Sequence, residues 1–227
     1  MYRYETHLHT SPVSQCAHDS VRDALVFYKE MGYQGVFITN HFIDGNLNLE
    51  ARALPYPERI AYYFSACEEG AELGKELGID VFPGVESSFG GTDFLIYGLD
   101  KAWYLAHPEI ESMPRTKLLR LMAEEGALII QAHPYRMDPW IDHIRLFPHC
   151  THGVEIYNAN RSDFDNQMAA HYCEAYHLIL FAGSDNHSIA KQKVFGGMET
   201  PRPIRDVEDF IEMVKNGEAK PFRYEKE

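Results

Sequence analysis

The sequence predicts an α/β fold: a single domain in which a mostly parallel sheet closes into a (β/α) barrel. Three observations predict it. Strand-like and helix-like stretches alternate along the 227 residues, the pattern of a parallel α/β sheet. Several strands are continuous apolar runs, which implies burial on both faces. No Gly-x-Gly-x-x-Gly follows the first strand, so a dinucleotide-binding sheet lacks its phosphate turn. A barrel instead gathers its chemistry at the C-terminal strand ends, and this chain places histidines and acids there.

The elements follow in order. Residues 4–10 read as a short strand, and alternation turns His7 and His9 to the same face. An irregular loop covers residues 11–19. Ser20, with Asp23 three positions on, reads as the N-cap of a helix that Gly32 stops. Residues 35–41 form a buried strand ending on His41. Residues 42–57 lack a period and are long enough to act as a lid. Pro57 opens a helix over 58–77, with Gly78 beyond. Residues 79–86 make a third strand ending on Glu86, and Gly90-Gly91 turns the chain into a fourth over 93–98. A helix over 115–125 leads into the apolar strand 127–133, which ends on His133. A short helix is expected within 139–147, then a strand over 153–158. Ser162 and Asp165 resemble a capping box for a helix reaching Tyr176. The strand 178–183 runs into Ser184-Asp185-Asn186-His187. Residues 204–216 close the chain as a helix. That makes about seven strands, mostly followed by helices.

Bulk properties narrow the function. A chain of ~200–250 residues with alternating elements and no linker is commonly one domain, taken as 1–227. The hydrophobic fraction of 45% and charged fraction of 24% are ordinary for a globular protein. No run of about 18 apolar residues predicts a membrane span, and no secretory leader is read. Cys16, Cys67, Cys150 and Cys173 show no paired spacing, so free thiols in a reducing cytoplasm are expected. The net charge of −13, without a Lys/Arg cluster, disfavours nucleic acid. A small anion remains possible at a bound cation.

Histidine is abundant, with 12 residues. His7 and His9, His41, Glu86, His133, and Asp185 with His187 sit at strand ends that one barrel rim would bring together. Singly, His41 could cap the next segment, Asp185 could be an N-cap, and His133 could be a packing residue. Their shared placement favours a metal cluster. Imidazole and carboxylate donors suit Zn, Mn or Fe better than copper(I) or iron–sulfur chemistry. The set is large enough for at least two ions, bridged by a carboxylate such as Glu86 or Asp185. A dinuclear site fits phosphate-ester hydrolysis. His107, His143, His149, His152, His171 and His177 lack such placement.

The ordered motifs His7-Leu8-His9, Thr39-Asn40-His41, Pro83-Gly84-Val85-Glu86, Ala132-His133-Pro134 and Gly183-Ser184-Asp185-Asn186-His187 resemble those of the polymerase and histidinol phosphatase (PHP) family. The resemblance spans nearly the whole chain. It implies a distorted (β/α)7, TIM-like barrel with two or three divalent metal ions. It also implies that His7, His9, Glu86 and Asp185 hold one metal, that Glu86 bridges to a second held by His133, and that His41 and His187 hold a third. Two positions depart from the family. Asp93 stands where a histidine often follows the bridging Glu, and is a further candidate ligand. A His or Asp usually serves the third metal from the loop after His-x-His; here Cys16, His18 and Asp19 all fall near that place.

Arg136 is a candidate bidentate donor to phosphate, with Arg161 and Asn158 as further substrate-binding candidates. His18 is a candidate proton donor to a leaving group if its loop folds inward. The expected activity is hydrolysis of a small phosphomonoester by metal-activated hydroxide. Trimming of nucleic acid ends, a non-catalytic metal-binding module, and an amidohydrolase are the alternatives. The last expects a carbamylated lysine at a strand end, and none is read there.

Overall fold

The computed structural model describes residues 1–225. The first third of the chain lays down β1 (Tyr2–Leu8), α1 (Val21–Glu30), β2 (Gly35–Ile38), α2 (Tyr56–Leu77) and β3 (Asp80–Pro83). β4 (Val85–Phe89) and β5 (Thr92–Tyr97) follow as a hairpin, then α3 (Lys101–Ala106), α4 (Arg115–Glu124) and β6 (Leu128–Ala132). β7 (Gly153–Asn158), α5 (Asp163–Ala175), β8 (Ile179–Gly183), β9 (Val194–Thr200), α6 (Val207–Lys215) and β10 (Lys220–Glu225) complete the described chain. Ser20 and Ser162 cap α1 and α5 as expected, accepting from the backbone N–H of Asp23 and Asp165.

The strands form two five-stranded sheets, in the orders β10-β9-β1-β2-β3 and β4-β5-β6-β7-β8. Both are mixed. β1, β2 and β3 pair in parallel while β9 and β10 join antiparallel. β6, β7 and β8 are parallel while β4 and β5 are antiparallel. Among the described residues the hydrogen-bonded ladder does not close into the expected seven-stranded barrel. It is interrupted at two seams, spanned only by the isolated pairs His41↔Glu86 and Leu8↔Asn186. The stretch expected as one strand over 79–86 is two, separated at Gly84. A side chain there would meet Thr39 Cγ2 at 2.7 Å. The short helix expected within 139–147 is absent; that segment is irregular. β9 and β10 were not expected: the first carries Gly196-Gly197 in its middle, and glycine weakens the strand signal.

The seams position the site. Parallel strands β1, β2 and β8 end together, and both interruptions fall at the ends that bear histidines and acids. Behind them lie aromatic and aliphatic residues, including Tyr4, Phe37, Tyr97, Phe181 and Phe210, all buried. Among the described residues no helix is long and apolar enough to cross a membrane.

Candidate metal centre

Alternation along β1, carried one residue past its end, brings His7 and His9 together, and their rings lie 5.1 Å apart. Glu86 sits between them and the neighbouring strands. Its Oε1 lies 3.2 Å from both His7 Nε2 and His133 Nε2. Its Oε2 lies 3.4 Å from His9 Nε2 and 2.6 Å from His41 Nδ1. Asp185 Oδ1 lies 3.5 Å from His7 Nε2 and 3.4 Å from His9 Nε2. His187 Nε2 faces His41 Nε2 at 3.5 Å. Three groups of donors thus cluster: His7, His9 and Asp185; His7, Glu86 and His133; and His9, His41 and His187.

Apart from His133 Nε2 with Glu86 Oε1 and His187 Nε2 with His41 Nε2, these contacts are close without being hydrogen bonds. His7 Nε2, His9 Nε2, His41 Nδ1 and Glu86 Oε2 are buried and have no hydrogen-bond partner. Buried polar atoms are ordinarily paired, so four orphans at one place require a reason. Two donors sharing a first-row ion at about 2.0–2.2 Å stand roughly 3.0–3.6 Å apart, and most separations here fall in that range. The donor set therefore fits divalent cations, on spacing and on chemistry.

The outer groups fix the rings. Glu155, fully buried on β7, accepts from His7 Nδ1 at 2.9 Å and from the His133 N–H at 3.0 Å. That leaves His7 Nε2 with its lone pair toward Glu86 and Asp185, the usual carboxylate–histidine arrangement behind a metal. Ser14 lies 3.1 Å from His9 Nδ1 and also accepts from the His41 N–H at 3.0 Å. Glu5, two residues before His7 on the same face, accepts from the N–H groups of His7 and Ser184 at 2.8 and 2.9 Å. Burial pushes the Glu5 carboxyl up to about 7, against those hydrogen bonds. Glu155, Glu5 and Ser14 were not singled out from the sequence. The signal for Glu155 was one charged residue inside an otherwise apolar strand.

Two ligand candidates carry left-handed backbone: Asp185 at φ 52° and His133 at φ 24°. Such conformations cost about 1–3 kcal/mol each in non-glycine residues and cluster at functional sites. Gly183 makes the close approach of β8 to β1 possible. A side chain there would meet His7 Cβ at 2.5 Å and Glu155 Oε1 at 2.8 Å.

Charge is balanced within the cluster. Burial pushes the Glu86 carboxyl up, but His41 and His7 hold it well below the usual range. Asp185 is likewise raised by burial and held low by His7, His9 and His187. Burial lowers His7, yet Glu155, Asp185 and Glu86 bring it well above its ordinary value. His41 is raised to about 10, burial being outweighed by Glu86. His9 goes the other way, lowered by burial and by His187 and His41.

A cleft of about 500 Å³ opens over the cluster, a size suited to a small ligand. Arg136 and Arg161 stand in its wall. Arg136 Nη1 lies 3.0 Å from Asp93 Oδ2, and its guanidinium stacks over Trp140 at 5.1 Å. Arg161 Nη2 lies 3.4 Å from Asp185 Oδ2. The stretch 42–57 contributes Asp44, Gly45, Asn46 and Arg52 to the rim. Asp93 is 3.8 Å from His133 Nε2 and stands outside the three donor groups, engaged by Arg136. Asn158 is fully buried, donating to Glu155 Oε2 at 2.8 Å and Asp185 Oδ2 at 3.3 Å. It supports the acids from behind rather than lining the cleft. His18 does not enter the cleft either. It lines a neighbouring cavity with Asn160, His187 and Lys191, its N–H donating to the His187 carbonyl at 2.8 Å. Asp19 accepts from the Ile189 N–H at 2.7 Å. Of the three loop residues near the third donor group, Cys16 is the one in the cleft.

No family model matches the sequence, and no curated protein is matched by it. Solved structures do match. A two-domain protein from Bacteroides vulgatus, described as containing a predicted PHP-like metal-dependent phosphoesterase, aligns over 97% of this chain with TM-score 0.71 and 14% identity. This chain spans 64% of that protein, less than two thirds of its length. A candidate metal-dependent phosphoesterase from Bifidobacterium adolescentis aligns over 94% of this chain and 96% of its own, with TM-score 0.57 and 12% identity. An amidohydrolase from Chromobacterium violaceum, solved with bound sulfate and no metal, aligns over 93% and 96%, with TM-score 0.53 and 14% identity. The likeness read from the motifs therefore extends to the architecture: this chain has the fold of a PHP-like phosphoesterase structure over nearly all of its length.

Proposed function

We propose that the chain is an enzyme, a metal-dependent phosphoesterase that hydrolyses a small phosphomonoester. The observation that carries this reading is the convergence of His7 Nε2, His9 Nε2, His41 Nδ1 and Glu86 Oε2, buried and without hydrogen-bond partners, below an open cleft. Two or three divalent ions of the Zn, Mn or Fe class suit that donor set. His7, His9, Glu86 and Asp185 would hold one, Glu86 and His133 a second, and His41 with His187 a third. Bound ions would neutralise phosphoryl charge and lower the pKa of the attacking water.

The chain's own groups do the rest. Glu155 and Ser14 keep the imidazoles in orientation. Arg136 and Arg161 offer guanidinium donors to the phosphate oxygens from the cleft wall. Trp140, 64% exposed at the rim, gives an apolar face to the rest of the substrate. His18 would protonate a leaving group only from the neighbouring cavity. Direct attack by water suffices, with no covalent enzyme intermediate.

The net charge of −13 favours a small phosphorylated substrate over nucleic acid. No lysine is among the described residues lining the cleft, which disfavours an amidohydrolase built on a carbamylated lysine. The cysteines are free, in keeping with a cytoplasmic protein. The test is phosphate release from a panel of phosphomonoesters after chelation and reloading with Zn, Mn or Fe. Release that depends on the metal is expected. Tight metal binding without release from any ester would mean a non-catalytic metal-binding module.

A further inference from the structure

Asn40 stands one residue before His41, just past the end of β2, and is buried beside Thr10 and Ser14 of the loop after β1. The Thr10 N–H donates to Asn40 Oδ1 at 2.7 Å, and Asn40 Nδ2 donates to Thr10 Oγ1 at 2.9 Å. A backbone N–H can only donate, so the amide has one orientation here, with its oxygen toward Thr10 N. The Ser14 hydroxyl donates to the same Oδ1 at 2.8 Å. An amide oxygen has no proton to return, so the single hydroxyl proton of Ser14 is committed there. Ser14 Oγ then has only its two lone pairs left. The His41 N–H takes one at 3.0 Å. The other faces His9 Nδ1 at 3.1 Å, and that contact is a hydrogen bond only when Nδ1 carries the ring proton. His9 Nε2, which has no hydrogen-bond partner, then directs its lone pair toward Glu86 and Asp185.

We propose that Asn40 is a positioning residue that sets the tautomer of His9 through the Ser14 hydroxyl, and so prepares that ring for a cation. This rests on the metal-dependent reading above and adds a residue to it. His9 belongs to two of the three donor groups, so one amide prepares both. His7 is oriented by a carboxylate, Glu155. His9 is oriented by a neutral relay, which fixes the ring without adding negative charge. Without the amide oxygen the Ser14 hydroxyl is free to donate to His9 Nδ1. The ring proton then sits on Nε2 and closes the nitrogen that faces the cluster.

Zinc affinity of chelator-treated protein, read by competition with a coloured chelator, tests the relay. Asn40→Leu and Ser14→Ala are each expected to lose about 10–100-fold. The double variant should lose no more than either alone, because both changes break one relay. Asn40→Asp keeps the acceptor and should restore the wild-type affinity. A measurement on the unaltered chain is independent of variant folding. In metal-free wild type labelled with ¹⁵N-histidine, at about pH 8 where an ordinary imidazole is neutral, nuclear magnetic resonance should find the proton of the His9 ring on Nδ1. The loss of its signals in His9→Gln assigns that ring. A proton on Nε2 in wild type, wild-type zinc affinity in Asn40→Leu, or fully additive losses in the double variant would overturn the proposal. If metal-dependent phosphate release persists in those cases, the phosphoesterase reading stands without it. Failure of wild type to take up any zinc would overturn both.

Discussion

Two buried carboxylate clusters of this molecule differ in one respect that separates structure from chemistry. Asp209, near the start of α6, is 2% exposed. It accepts from Arg202 Nη1 and Nη2 at 2.6 and 2.7 Å, and from Arg205 through its N–H at 3.0 Å and Nη2 at 2.9 Å. Glu86 is 1% exposed, and its neighbours are imidazoles at 2.6–3.4 Å. Both carboxyls are held below their ordinary range, Asp209 by its arginine hydrogen bonds and Glu86 by His41 and His7 against burial. Yet neither Asp209 oxygen is an orphan, while Glu86 Oε2 and three facing imidazole nitrogens are. The first acid is satisfied by the chain itself. The second has lone pairs left over, directed where other lone pairs are directed. Depressed acidity alone does not mark a site; several unspent polar atoms converging on one point do.

Substitutions should divide along that line. Asp185→Asn is expected to lose more activity than the ~10–100-fold that outer partners of a metal cost, with the far-ultraviolet circular dichroism unchanged. A normal rate in this variant would remove Asp185 from the ligand set. Glu155→Gln touches no metal, only His7, the His133 N–H and Asn158. It should weaken metal affinity or phosphate release by ~10–100-fold, read by metal titration. Gly183→Ala forces a methyl group against His7 and Glu155. It should destabilise the fold by about 1–3 kcal/mol, measured by denaturant unfolding, and lower phosphate release with it.

Asp209→Asn should leave phosphate release and metal content as they are. Its melting temperature should fall by roughly 2–4 °C near neutral pH. The Asp209 carboxyl is lowered in the folded chain from an ordinary 3.8. Its contribution is therefore present above that value and lost as pH falls through it toward the folded pKa. The melting curves of variant and wild type should converge on acidification. A difference that grows below pH about 4 would contradict the assignment.

Much of this arrangement was legible in the chain. His7-Leu8-His9 shows its common face by alternation, and His41, Glu86, His133, Asp185 and His187 show theirs by ending apolar runs. What was not legible depended on contacts between distant segments. Glu155 reads as a stray charge until β7 lies beside β1. Asn158 reads as a pocket residue until its amide is found beneath Asp185. The break at Gly84, the antiparallel β4–β5 hairpin, and the pairing of β9 with β1 and of β10 with β9 turn a predicted parallel ring into two mixed sheets. Their cause is tertiary: no local period announces a seam. Cys16, His18 and Asp19 were equivalent by position, and only the fold of their loop places Cys16, and not the other two, in the cleft.

The central claim is that the unspent donors hold divalent ions. Elemental analysis of purified wild type, Asp185→Asn and Asp209→Asn tests it most directly. The account predicts two or more equivalents of divalent transition metal per chain in wild type and Asp209→Asn, and fewer in Asp185→Asn. Equal metal content in all three, or none retained by wild type after reloading, would contradict it.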